Sequence, residues 1–168
     1  MHPIDIIGVA SGLGAPDPGC TDGPGALRAA GLLARLQAAG LTATWRDTLR
    51  PCATPDPTQA IAALCARLSQ SVCNSVGSGN FPLVIGGDHS SAVGTWSAVA
   101  DHLRPQGALG LVWIDAHLDA HTPDTSDSQA PHGMPVAALL GHGSAGMTDL
   151  FGWRHKLRPE HLVIIGAR

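Results

Sequence analysis

The sequence predicts an α/β fold of three layers built on a mainly parallel central sheet. Two observations carry this: strand-like apolar runs alternate with helical patterns along the whole chain, and those runs are nearly continuous in apolar residues, as in strands buried on both faces. Length adds a third constraint, since 168 residues suit one domain with a real core, spanning residues 1–168, and are too few for two comfortable ones.

The first run, Ile4 to Ala10, ends in Gly and Ser limits and reads as a buried strand. A Gly/Pro/Asp loop from Ser11 to Asp22 follows. Gly23-Pro24 then opens a helix over Ala26 to Ala39, with Leu27, Leu32, Leu33 and Leu36 at helical spacing and Gly40 just past its end. Leu41 to Trp45 reads as a second strand. From Pro57 to Val76, Ile61, Leu64, Cys65, Leu68 and Val72 form one helical stripe that Gly77-Ser78-Gly79-Asn80 terminates. A third strand, Phe81 to Ile85, leads into Gly86-Gly87-Asp88-His89-Ser90. A helix over Ser90 to Leu103 and a fourth strand, Ala108 to Ile114, come next. A polar loop then runs from Asp119 to Pro131, before a short helix from Gly133 to Leu140 and a last strand, Leu162 to Ile165.

Composition narrows the function classes. Apolar residues make up 44% of the chain and charged residues 14%, which describes a chain that folds. A net charge of −3 without a Lys/Arg cluster argues against a nucleic-acid partner. No apolar run approaches the roughly 20 residues that span a bilayer, and the start of the sequence has no signal-peptide pattern, so the expected location is the cytoplasm. Cys20, Cys52, Cys65 and Cys73 form no C-x-x-C pair and read as ordinary thiols.

Chemistry concentrates at two strand ends. In an extended chain positions two apart face the same way, so Asp115, His117 and Asp119 can present two carboxylates and an imidazole to one space. That is the edge where open α/β sheets bind ligands. The Gly86-Gly87 turn allows close backbone approach and aims His89 over the same edge. A carboxylate-rich set with some imidazole suits manganese or a similar borderline metal better than zinc-preferring thiolates do.

These residues, together with Asp22-Gly23-Pro24, Leu27-Arg28 and His132-Gly133-Met134-Pro135 in that order, resemble the ureohydrolase family of arginase, agmatinase, guanidinobutyrase and formimidoylglutamase. The resemblance covers essentially the whole chain but corresponds to the amino-terminal half of the family. It implies an arginase-like α/β fold, and two Mn2+ per complete site. His89, Asp115 and Asp119 would hold one ion, Asp115 and His117 the other, with Asp115 bridging both. It also implies His132 as the proton-shuttling histidine, a task suited to an imidazole titrating near neutrality. The spacing from Asp119 to His132 is similar to that of arginases, in which the positions matching Ser126 and Ser128 contact the amino-acid end of the substrate. His121 stands where arginases usually have asparagine.

The implied activity is therefore manganese-dependent hydrolysis of a guanidino group, with L-arginine giving L-ornithine and urea. Agmatine, guanidinobutyrate or another guanidino compound is the alternative. A homo-oligomer, trimer or hexamer, is implied for the complete enzyme. The family's second half carries a Ser-x-Asp-x-Asp-x-x-Asp-Pro segment with two further metal ligands, and the later Asp124, Asp127 and Asp149 do not match it. In the family the last two strands insert between the strands that here carry His89 and Asp115, so the resemblance implies a gap in the sheet and two open inner edges. A fragment of a longer enzyme is the expected account. A subunit completed by a separately encoded partner, and a non-catalytic half-fold interaction module, are the others. A metal-dependent deacetylase of related fold fits the strand order but not the Asp115 to Asp119 pattern with His132 downstream.

Overall fold

A computed structural model describes residues 2–168. The described elements run β1 (Ile4–Val9), α1 (Gly23–Ala29), α2 (Leu32–Ala38), β2 (Ala43–Leu49), α3 (Pro57–Gly77), β3 (Phe81–Ile85), α4 (Ala92–Leu103), β4 (Leu109–Ile114), α5 (Pro135–Leu139), α6 (Ala145–Thr148) and β5 (Leu157–Ile165). The alternation expected from the sequence is present, and every strand pairing is parallel.

Three elements depart from expectation by more than two residues, for identifiable reasons. The helix expected over Ala26 to Ala39 is two helices, because Gly31 adopts φ +80, a left-handed conformation that interrupts the α-helical path. The second strand starts later and runs further than Leu41 to Trp45. Leu41 donates its N–H to Leu36 O to close α2, while pairing with β1 carries β2 through the polar Arg46-Asp47 as far as Leu49. Only one side of that edge strand is laddered, so polar residues are tolerated there. The last strand begins at Leu157 rather than Leu162, and its Pro159 is accommodated where the ladder with β4 is irregular.

The strands form two sheets, one ordered β2-β1-β3 and the other β4-β5, and among the described residues no ladder joins β3 to β4. Ile7 and Val9 of β1 face α3 and α4, packing with Leu64, Leu68 and Val72. On the opposite face Gly8 lies against Pro24 of α1. The middle strand β1 is therefore covered on both sides, as expected, while β2 and β3 beside it are only partly buried. The second sheet is covered on one side only: Leu109, Leu111 and Trp113 are buried against α4 and α5, while Val112, Ile114, Val163 and Ile165 on the other face are 50–78% exposed. A doubly covered sheet throughout was the wrong expectation for β4 and β5, whose burial follows the alternating pattern of a sheet with one packed face.

Helix α4 packs against both halves. Val99 of α4 packs against both the β1/α3 cluster and the β4/β5/α5 cluster. Leu68 and Val72 are fully buried, each worth about 1.5–3 kcal/mol of transfer free energy. The α3 helix is started by Asp56, whose carboxylate accepts from Thr58 N at 2.9 Å. Among the described residues no helix is long and apolar enough to cross a membrane.

Candidate metal centre

The site forms where β3 and β4 end, across the break between the sheets. Beyond Ile85 the chain folds back on the loop after β1. Asp88 N donates to Ser11 O at 2.8 Å, and a side chain at Gly87 would collide with that same carbonyl. The Asp88 carboxylate accepts from Ser90 N at 3.0 Å and starts the short 3-10 turn His89–Ser91. This turn lifts His89 over the sheet edge. There its imidazole stacks on Trp113 of β4, with ring centroids 4.6 Å apart and an interplanar angle of 25°.

At the end of β4, Asp115 N donates to Ile165 O at 3.0 Å as the chain leaves the sheet. Its Oδ1 then accepts from His117 N at 2.9 Å, so the residues after Ile114 curl rather than continue extended. Asp119 sits at φ +49, a left-handed conformation that aspartate tolerates better than most residues. Its carbonyl accepts from Val136 N at 2.9 Å and fixes it to the start of α5. The carboxylates thus converge by a turn, not by the strand alternation that suggested it.

His89, Asp115 and Asp119 each offer a ligand atom within 4.8 Å of the other two. His89 Nδ1 lies 3.1 Å from Asp115 Oδ2 and 2.7 Å from Asp119 Oδ2. Asp119 Oδ2 is nevertheless buried without a properly directed hydrogen bond, so the close pair is poorly aligned for donation. Two carboxylates and an imidazole converging with a buried oxygen left over is a donor set that a divalent cation fits. Burial pulls the His89 pKa down, but the carboxylates of Asp119 and Asp115 outweigh it and the net shift is upward. For Asp115, burial acts to raise the pKa, and the hydrogen bonds from His117 together with the charge of His89 bring it below the usual value.

The other expected residues lie around this triad. His117 is 78% exposed and touches Asp115 through Nδ1 at 3.1 Å, outside the group of three. His132 occupies the 3-10 turn Pro131–Gly133, which lies beside the His89 turn. Its N–H donates to Gly14 O at 2.9 Å. His121 N donates to Gly133 O at 3.2 Å, and its ring lies 3.3 Å from Thr125 Oγ1 and lines a cavity of about 190 Å3 with Met134 and Met147. Ser126 Oγ and Ser128 Oγ are 3.4 Å apart, Ser126 buried and Ser128 exposed.

Sequence reasoning assigned no role to Trp113, although it lies near the end of β4, two residues before Asp115. It likewise gave none to Asp88, a buried carboxylate with a hydrogen-bond partner, Ser11, 77 residues away in the chain.

Comparisons with known proteins identify the family. The Arginase family model matches residues 2–168. The arginase of Bacillus caldovelox is 40% identical over 100% of this chain and 58% of its own length, and that of Bacillus subtilis is 38% identical over 98% and 57%. A crystal structure of the Bacillus subtilis enzyme superposes with a TM-score of 0.93 at 38% identity, covering 100% of this chain and 57% of that one. The chain thus spans somewhat more than half the length of these relatives. A profile matched from residue 2 to residue 168 and this level of identity make it a member of the arginase family.

Proposed function

We propose that this chain supplies the first half of the active site of a manganese-dependent amidinohydrolase, and that the complete enzyme converts L-arginine to L-ornithine and urea. The convergence of His89, Asp115 and Asp119 within 4.8 Å carries this reading. The three would hold one ion, and Asp115 with His117 would contribute to a second. When bound, the metal supplies Lewis acidity that makes hydroxide available near neutral pH. His132, whose turn lies beside the His89 turn, donates a proton to the departing amine, which is too basic to leave without one. Ser126 and Ser128 orient the amino-acid end of the substrate. The names of the relatives support arginine as that substrate.

His121 favours a second reading, another guanidino compound, because an imidazole replaces the amide usual at that position in arginases and lines the neighbouring cavity. One chimera separates the two: residues 1–168 joined to the carboxy-terminal remainder of Bacillus subtilis arginase, loaded with Mn2+ and assayed for urea. Arginine should be the best substrate among arginine, agmatine and guanidinobutyrate. His132→Asn should keep the metal and lower turnover by roughly 10²-fold. A folded chimera that retains Mn2+ but hydrolyses none of the three would overturn the proposal.

A further inference from the structure

Asp88 is 5% exposed and forms no salt bridge among the described residues. Its carboxylate is instead surrounded by neutral donors. Oδ1 accepts from Ser90 N at 3.0 Å and from Ser90 Oγ, and Oδ2 accepts from Gly14 N at 3.1 Å and Ser11 Oγ at 3.4 Å. The carbonyl of the same residue, Gly14, accepts from His132 N at 2.9 Å. One carboxylate thus holds the His89–Ser91 turn with one oxygen and, through Gly14, the Pro131–Gly133 turn with the other. A side chain at Gly14 would run into Asp88 Oδ1, so the loop can approach this closely only as glycine.

We propose that Asp88 is a positioning residue that sets His132 relative to His89, joining the proton-donating turn to the metal-binding one. This rests on the reading of His89 as a ligand and His132 as the proton donor. Burying an anionic carboxylate among neutral donors is costly unless all of them are well placed, and four neutral donors to one group make the arrangement stiff. Loss of the carboxylate frees both turns together, although neither His89 nor His132 is altered.

The test uses the 168-residue chain with Mn2+ as the probe, followed by the electron paramagnetic resonance signal of the free ion and by backbone amide hydrogen exchange. Asp88→Ala should weaken Mn2+ binding by about 10- to 100-fold, the usual range for residues that orient a metal ligand. It should also speed exchange at the His132 amide about tenfold or more, with the amides of β1 and α3 unchanged. Asp88→Asn, which keeps one acceptor oxygen, should recover part of both effects. His89→Ala should abolish Mn2+ binding and leave the His132 amide protected. Should Asp88→Ala not fold, Asp88→Asn and Ser11→Ala, which removes one donor, carry the same comparison with smaller shifts. Wild-type exchange at His132 in the Asp88 variants, or uniform acceleration at all amides, overturns the proposal. If wild-type chain binds no Mn2+, the metal reading fails by itself, and the amide data alone decide whether Asp88 couples the two turns.

Discussion

Between Asp115 and Asp119, His89 holds its proton more firmly than a free imidazole, and a metal ion must displace that proton to bind. The metal-free chain and the loaded chain should therefore respond oppositely to pH. Without metal, a raised folded pKa gives a stabilisation fully present below the ordinary value of 6.5 and lost as pH rises through the raised one. Mn2+ binding should strengthen over that same interval as the imidazole becomes free to ligate. Urea melts between pH 6 and 8, with and without Mn2+, check this, and metal-free stability that rises with pH would contradict it. Asp115 and Asp119 stand out in the sequence because Asp, His and Asp at a strand end are hard to explain as packing, and His89 because a Gly-Gly turn ends the neighbouring strand, whereas the histidine of the Asp115 to Asp119 run lies outside the triad. Its shape is not legible, since the left-handed turn at Asp119 depends on hydrogen bonds from Val136 and Ala137, distant in sequence. Trp113 and Asp88 escape notice for the same reason: what matters about each is the residue it meets, His89 in one case and Gly14 in the other.

Among the secondary structure elements, β1, α3, β3 and β4 are legible almost to the residue, because each has a strong apolar pattern bounded by Gly, Pro or Asn. The elements that resist are those whose limits are set by neighbours. The polar end of β2 is held in place by its parallel partner β1, and the polar start of β5 is bracketed by the pairing of Leu157 with Leu109 and of Leu162 with Leu111, which a one-dimensional pattern cannot show. The break between α1 and α2 is a local decision instead. Gly31 occupies φ +80 with open space around the position a Cβ would take, so the cost of a side chain there is conformational and not steric. Gly31→Ala should destabilise the chain by about 1–2 kcal/mol, the usual penalty of a left-handed conformation for an L-residue. A urea midpoint equal to wild type would mean that α1 and α2 fuse into one helix without loss, as the leucine spacing suggests.

Over the whole molecule, burial is uneven. The middle strand of the first sheet is enclosed, whereas the second sheet presents Val112, Ile114, Val163 and Ile165 outward, and Phe81 at the start of the flanking strand β3 is 58% exposed. A contiguous apolar face beside unladdered strands invites association. The isolated chain should self-associate with rising concentration in sedimentation experiments. Replacing Ile114, which is 78% exposed, by Thr should weaken that association about tenfold, on the scale of about 1.5 kcal/mol for one buried aliphatic side chain. An unchanged sedimentation profile for the variant would place the contact elsewhere.

His89 comes from the sheet β2-β1-β3 and its two carboxylate partners from the sheet β4-β5. An ion held by all three is then a cross-brace over a joint that, among the described residues, no backbone ladder spans. In the proposed reading the same three side chains would serve both ligation and architecture, so that a bound ion would tension the frame as well as equip the site. Ligation only by the folded arrangement stabilises it by about 2.7 kcal/mol when the ion is a hundredfold above its Kd. Calorimetry with and without Mn2+ should show the melting temperature climbing, and the gain should vanish in Asp115→Ala. A gain confined to one sheet, seen as amide protection at β4 but not at β3, would instead describe an ion that rests on one half of the frame and leaves the joint loose.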